Sequence, residues 1–216
     1  MFSLKTADKP PTSGLTSFFV KLAKMGRELH FAANTLIIKE HDHGDSLFFI
    51  VDGTIRVFTT AEDGSQFIIG DYGPGDYVGE MSLETHLRSA SVMALTHVVA
   101  AVVEREAVLA DIRSRPDHAL ELIFEVTRRA RATTDTVKGL ALHDVYKRIS
   151  SFIDSQCGHP AVPAVIPAFP SHAEVAQRIA TSEHTVTFIV EDLIKDGYLE
   201  QKGGSLIVRR RLPAHW

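Results

Sequence analysis

Gly79-Glu80-Met81-Ser82-Leu83, followed closely by Arg88-Ser89-Ala90, puts a carboxylate, a run of backbone amides and a guanidinium into one turn-and-helix unit. Gly79 lets the backbone come close to a ligand. Residues 81–84 are predicted to open a short helix whose first N–H groups, lacking intrahelical acceptors, suit an anion. Arg88 offers a planar, permanently charged fork for phosphate oxygens, and Ser89 adds a hydroxyl. Glu80 can accept from a ribose hydroxyl. The same spacing equally suits a Glu80–Arg88 salt bridge that closes the loop.

Upstream of this unit, from Leu29 to about Val103, short apolar runs alternate with turn signals. Thr35–Ile38, Leu47–Val51, Thr54–Phe58 and Phe67–Ile69 are separated by Asp52-Gly53, Asp63-Gly64 and Gly73-Pro74-Gly75-Asp76. That rhythm predicts an antiparallel sandwich or jelly roll, with Asp63-Gly64 at a hairpin tip. An amphipathic helix is expected over 16–28.

Downstream, one helix is predicted from Pro116 to about Val145. Ile123, Val126, Ala130, Thr133, Val137 and Leu140 recur in it at the spacings of a heptad seam, flanked by charged residues such as Arg128, Arg129 and Arg131. The reading is a homodimer coiled coil. Thr133 is a polar residue on the seam, of the kind that sets register or meets a ligand. A further helix is expected at about 145–156, then a Pro-rich loop or short edge strand from Gly158 to Pro170.

Ser171-His172-Ala173-Glu174 is a capping box opening a helix. Ala180-Thr181-Ser182 is the turn, and Ser182 the N-cap of a second helix whose Val186, Ile189, Val190 and Leu193 face inward. Leu199–Val208 forms a wing around Gly203-Gly204. Two short helices on a three-residue turn fit a helix-turn-helix that binds double-stranded DNA. Its second helix presents Glu183, His184, Thr187, Phe188 and Glu191. Phe188 can touch a thymine methyl and His184 can donate to a guanine edge. Ser171, Ser182, Thr185 and Arg178 lie nearer the phosphates.

Composition sets the limits. With 216 residues and 44% hydrophobic content, the chain can bury a core. A single cysteine, Cys157, excludes a disulfide framework and an iron–sulfur sensor and fits a reducing cytoplasm. No membrane span or signal core is expected. Net charge is −4; residues 147–216 carry eight Lys/Arg against seven Asp/Glu, so electrostatic attraction to nucleic acid is modest. His41-Asp42-His43 has the His-x-His form of cupin-like metal enzymes but lacks further ligands at suitable spacing. No catalytic constellation is apparent.

The stretches GDSLFFIVDGTIRVF, EDGSQFIIGDYGPGDYVGEMSL and RSASV resemble the cyclic-nucleotide-binding domain of the cyclic-AMP receptor protein and fumarate–nitrate regulator (CRP/FNR) superfamily. The resemblance covers about residues 20–212, and Gly44, Gly53, Gly64, Gly75 and Gly79 match its turn glycines. It implies an α+β chain: an N-terminal β jelly roll over 1–116, a dimerisation helix over 117–145 and a C-terminal winged helix-turn-helix over 146–216. It implies that Glu80 holds a ribose 2′-hydroxyl, Arg88 and Ser89 the cyclic phosphate, and Thr133 and Thr134 the purine of cyclic AMP, one threonine reaching across from the partner subunit. It also implies contact with RNA polymerase, for which the tip Glu62-Asp63-Gly64 and the loop 158–170 are candidates. This chain departs from the pattern between Glu80 and Arg88. The span is short, the usual glycine is missing, and Glu84 and His86 fill it. Cyclic GMP, cyclic di-GMP, haem held by a histidine such as His86 or His97, or ligand-independent action are the alternatives. Both arginines common on the reading helix of relatives are absent, so the target site should differ.

Overall fold

The computed structural model describes residues 16–157 and 162–215. They fall into two compact units that meet in the sequence at Arg131/Ala132. The division lies inside the long helix. The start of the Pro-rich connector, including Pro160, lies outside the described residues.

The first unit opens with α1 (Ser17–Met25), continues through eight strands and closes on helices. The strands are β1 (Arg27–Phe31), β2 (Leu36–Ile38), β3 (Ser46–Asp52), β4 (Ile55–Thr60), β5 (Gln66–Tyr72), β6 (Tyr77–Val78), β7 (Ser91–Ala94) and β8 (Val98–Glu104). They form two antiparallel four-stranded sheets, ordered β1-β8-β3-β6 and β2-β7-β4-β5. This is the predicted jelly roll. A one-turn helix, α2 (Ser82–Thr85), interrupts it between β6 and β7.

The first sheet is covered on both faces, which is why its strands read as unbroken apolar runs. Leu47 and Phe49 of β3, Tyr77 of β6 and Ala101 and Val103 of β8 pack under Phe18, Phe19 and Leu22 of α1. The alternate residues Ile50, Val78, Val98 and Ala100 face the second sheet, meeting Ile38, Ile55, Val92 and Ala94. Phe18 and Phe49 are fully buried with their rings edge to face at 5.8 Å. Truncating either to alanine costs about 3–5 kcal/mol.

A helix absent from the sequence reading, α3 (Arg105–Ser114), follows β8 directly. Its apolar stripe, Ala107, Val108 and Ile112, is too short to stand out beside the strand before it. It ends where Pro116 starts α4 (Pro116–Leu142), Pro being suited to a first helical position. The α3–α4 corner is held by Asp111 and His118, both buried, joined Oδ2 to Nδ1 at 2.5 Å.

The long helix stops three residues short of the predicted Val145. Asp144 instead caps α5 (Val145–Cys157), accepting from the amide of Lys147 at 2.7 Å. In the second unit α5 packs on α6 (His172–Ile179), α7 (Glu183–Lys195) and a three-stranded sheet ordered β10-β11-β9. Its strands are β9 (Ala164–Ile166), β10 (Leu199–Lys202) and β11 (Ser205–Val208). The short edge strand allowed for in the connector is thus β9, and the wing is β10–β11. Ile149, Ile153, Val175, Val186, Val190, Leu193 and Leu206 form the core.

Candidate functional site

Arg88 lies between α2 and β7, 7% exposed. Its Nη1 donates to the Ser46 carbonyl at 2.9 Å and to Ser82 Oγ at 3.0 Å, with a longer contact of 3.4 Å to the Gly79 carbonyl; its Nη2 reaches Ser46 Oγ at 3.3 Å. The ring of Phe48 lies 5.8 Å from the guanidinium carbon. Among the described residues no carboxylate pairs with this cation. Burial draws its pKa down, opposed by the more distant Asp45 and Glu80.

Two glycines make room for the guanidinium. A Cβ at Gly44 would fall 2.1 Å from Nε. At Gly79, where φ is +92°, it would fall 2.6 Å from Nη1 and 2.8 Å from the Ser46 carbonyl. The short span after Glu80 is closed by His86, left-handed at φ +58°, whose carbonyl accepts from Gly44 N–H and whose Nδ1 meets Asp45. Glu84 is exposed.

The predicted anion site at the start of the short helix is modified. The amides of Ser82 and Leu83 are turned onto the carbonyls of Gly79 and Glu80. Gly79, Ser82 and Arg88 are brought together; Met81 and Ser89 are exposed beside them.

Glu80 does not pair with Arg88. Its partner is Arg129 of α4, Nη1 to Oε1 at 3.0 Å. Arg129 also donates to the Tyr77 carbonyl at 2.7 Å and to Glu125 at 2.8 Å, and stacks over the rings of Tyr72 and Tyr77 at 4.9 and 5.4 Å. Burial would lower its pKa, but Glu80, Tyr72 and Glu125 outweigh that and raise it. Sequence reading placed Arg129 only among charged flanks of the seam. Its signal was its position one turn before Thr133.

Thr133 and Thr134 belong to the second unit. Both are exposed and, with Val137, Lys138, Ala141 and Leu142, line a shallow apolar groove on the helix. The seam residues Ile123 and Val137 are more than half exposed, as is Phe124, which the heptad reading missed.

In the helix-turn-helix, Ser171 Oγ accepts from the amide of Glu174 at 3.2 Å and Ser182 Oγ from that of Thr185 at 3.1 Å, as expected of N-caps. Ser182 Oγ also meets Thr185 Oγ1 at 2.7 Å. Two residues expected at DNA make contacts within the unit. Arg178 binds Glu174 one turn back at 2.8 Å, an i,i+4 pair on α6. Thr187 Oγ1 meets His172 Nδ1 of α6 at 2.9 Å, so it joins the two helices. Glu183, His184 and Phe188 remain exposed.

His41 and His43 are exposed, and no described group of three His, Cys, Asp or Glu side chains is placed to hold a metal. No described helix is long and apolar enough to cross a membrane.

Residues 28–114 match the cyclic nucleotide-binding domain family. The chain is 25% identical over 201 residues to the CRP-like cAMP-activated global transcriptional regulator of Mycobacterium tuberculosis, covering 89% of this chain and 88% of that one. It is 25% identical over 205 residues to the cAMP-activated global transcriptional regulator CRP of Salmonella typhimurium, covering 93% and 96%. These matches support the CRP/FNR superfamily of transcription regulators as the family of this chain. Among solved structures, the c-di-GMP responsive global regulator CLP of Xanthomonas campestris superposes with a TM-score of 0.78 over 89% of this chain and 98% of that one, at 20% identity. The chain therefore shares its fold with a regulator described as c-di-GMP responsive as well as with cAMP-activated ones.

Proposed function

We propose that this chain is a homodimeric transcription regulator of the cytoplasm that takes a cyclic nucleotide, cyclic AMP first among them, as effector and binds palindromic DNA. One observation carries the effector reading. Arg88 is a nearly buried cation, seated between Gly44 and Gly79, with no carboxylate in its reach among the described residues. A buried charge held by neutral acceptors alone is costly, and an anionic phosphate is its natural complement. Glu80, two residues before Ser82, supplies an acceptor for a ribose hydroxyl. The purine role of Thr133 and Thr134 rests on resemblance.

The effector acts by preferring the DNA-competent state. A coupling of about 1–3 kcal/mol is enough for a useful response. The exposed apolar seam of α4 supports the dimer, which would meet half-sites about one helical turn apart. RNA polymerase is proposed as partner by resemblance, and no enzymatic activity is proposed.

Calorimetry with cyclic AMP, cyclic GMP and cyclic di-GMP tests this. Heat with cyclic AMP that is lost in Arg88→Ala is the expected result. Heat only with cyclic di-GMP would reassign the effector, as in the Xanthomonas relative. No heat and no thermal shift with any of the three removes the effector reading.

A further inference from the structure

The second helix of the DNA-binding unit turns outward a face without arginine. His184, Phe188, Glu191 and Lys195 recur on α7 at spacings of four, three and four and share one stripe. Phe188 is 58% exposed, whereas Val186, Ile189, Val190 and Leu193 on the same helix are buried in the core. A lone exposed apolar side chain is ordinary on most surfaces. Here it occupies the middle of the face that a helix-turn-helix lays in the major groove.

Four of the five described arginines in this unit are engaged. Arg178 is held by Glu174, Arg209 by Glu200, and Arg148 by the carbonyls of Ile179 and Ala180. Arg210 donates to the carbonyls of Asp196 and Gly197 and stacks on Tyr198. The exposed carboxylates of Glu183 and Glu191 flank Phe188 along the helix. Carboxylates are repelled by phosphates and by the O6 and N7 acceptors of guanine, and accept instead from base amino groups. The one apolar group that the major groove offers an exposed ring is the 5-methyl of thymine.

We infer that Phe188 determines operator specificity by reading one thymine of each half-site through its 5-methyl group. The inference rests on the DNA-binding reading above and names what that helix reads. The arginine–guanine contact, the commonest specific pairing, has no counterpart on this face.

The test uses full-length protein, with and without cyclic AMP, to select duplexes from a random pool. The selected duplex is then remade with deoxyuridine replacing each thymidine in turn, which removes only the methyl group. One position per half-site should weaken binding about fourfold, the value of burying one methyl-sized group. Phe188→Ala should bind the thymine duplex more weakly by a similar factor and no longer distinguish thymine from uracil there. An unchanged melting temperature of the variant, expected for an exposed side chain, confirms that it folds. Uracil sensitivity that persists in Phe188→Ala, or wild-type protein insensitive at every thymine, overturns the inference and leaves DNA binding standing. Failure to select any duplex under either condition overturns both.

Discussion

Arg129 and Glu80 stand 3.0 Å apart, a pair with only 16% and 10% of their side chains exposed, and they tie the middle of α4 to the loop that cradles Arg88. The pair is made within one unit, so it is a structural feature of the jelly-roll unit itself. A carboxylate this buried must be compensated. Arg129→Met should therefore lower the stability of the jelly roll by about 3 kcal/mol, because Glu80 is left uncompensated. Arg129→Met combined with Glu80→Gln should recover most of that loss. Urea unfolding followed by circular dichroism reads both; equal destabilisation in the single and double variants would refute the pairing as the cause.

Gly44 and Gly79 shape the seat of Arg88. Gly44→Ala places a methyl 2.1 Å from Nε and must displace the guanidinium. Gly79→Ala adds backbone strain at φ +92° to a 2.6 Å clash. Each should cost about 2 kcal/mol and abolish nucleotide uptake. Thermal melts with and without cyclic AMP check this. Wild-type stabilisation by the nucleotide in Gly44→Ala would place the phosphate elsewhere.

Acid should unfold the jelly roll through Glu121 and Glu125. Burial would raise the Glu125 carboxyl, but Arg128 and Arg129 override it and hold it below the ordinary 4.5. Burial likewise opposes Glu121, which Ser17 and the Phe18 amide pull lower. The unfolded chain thus takes up these protons first as pH falls. The contribution is complete above about pH 4.5 and is lost as pH drops through the folded-state values. In Glu125→Gln the acid limb of a stability–pH curve should be shallower. An identical limb would assign acid sensitivity to other groups.

Val137 is 56% exposed on the apolar seam of α4. A charge there should prevent association, since a buried, unpaired carboxylate cannot be accommodated in a coiled-coil interface. Sedimentation of Val137→Glu should give a monomer where wild type gives a dimer. A wild-type monomer at micromolar concentration would dismiss the coiled-coil reading.

Ala180 ends α6 in the left-handed region at φ +52°, held there by Arg148 donating to the carbonyls of Ile179 and Ala180. Glycine adopts that conformation without the Cβ penalty. Ala180→Gly should stabilise the DNA-binding unit by about 1 kcal/mol, seen as a raised melting temperature. A lowered one would mean that the Ala180 methyl contributes packing that outweighs its strain.

Much of the architecture was legible from residue order. The strands and their turns followed from apolar runs broken by Asp-Gly and Pro-Gly, and the two helices of the DNA reader from Ser171 and Ser182 as caps. Helix α3 was missed because Ala107, Val108 and Ile112 form too short a stripe to announce a change of period. The end of α4 was misplaced because apolar spacing continues past Leu142, while the cap at Asp144 acts only once the next helix has formed.

Within the site, residue types and their local spacing pointed to Gly79, Glu80 and Arg88, since glycine at a positive φ and an arginine beside a short turn act over a few residues. The partners of those groups were not legible. Glu80 meets Arg129 forty-nine positions away, and Arg88 is seated by Ser46 at the start of β3 and by Gly44 just before it. In the helix-turn-helix, Arg178 of α6 is paired with Glu174 and Thr187 of α7 with His172, contacts that residue order did not announce. The sequence alone determined the chemistry available: one cationic fork, one acidic acceptor, and a reading helix that carries Phe188 and no arginine. Tertiary structure decided which charges are neutralised and which are offered, because ion pairing and burial depend on distance in space, which residue order does not specify.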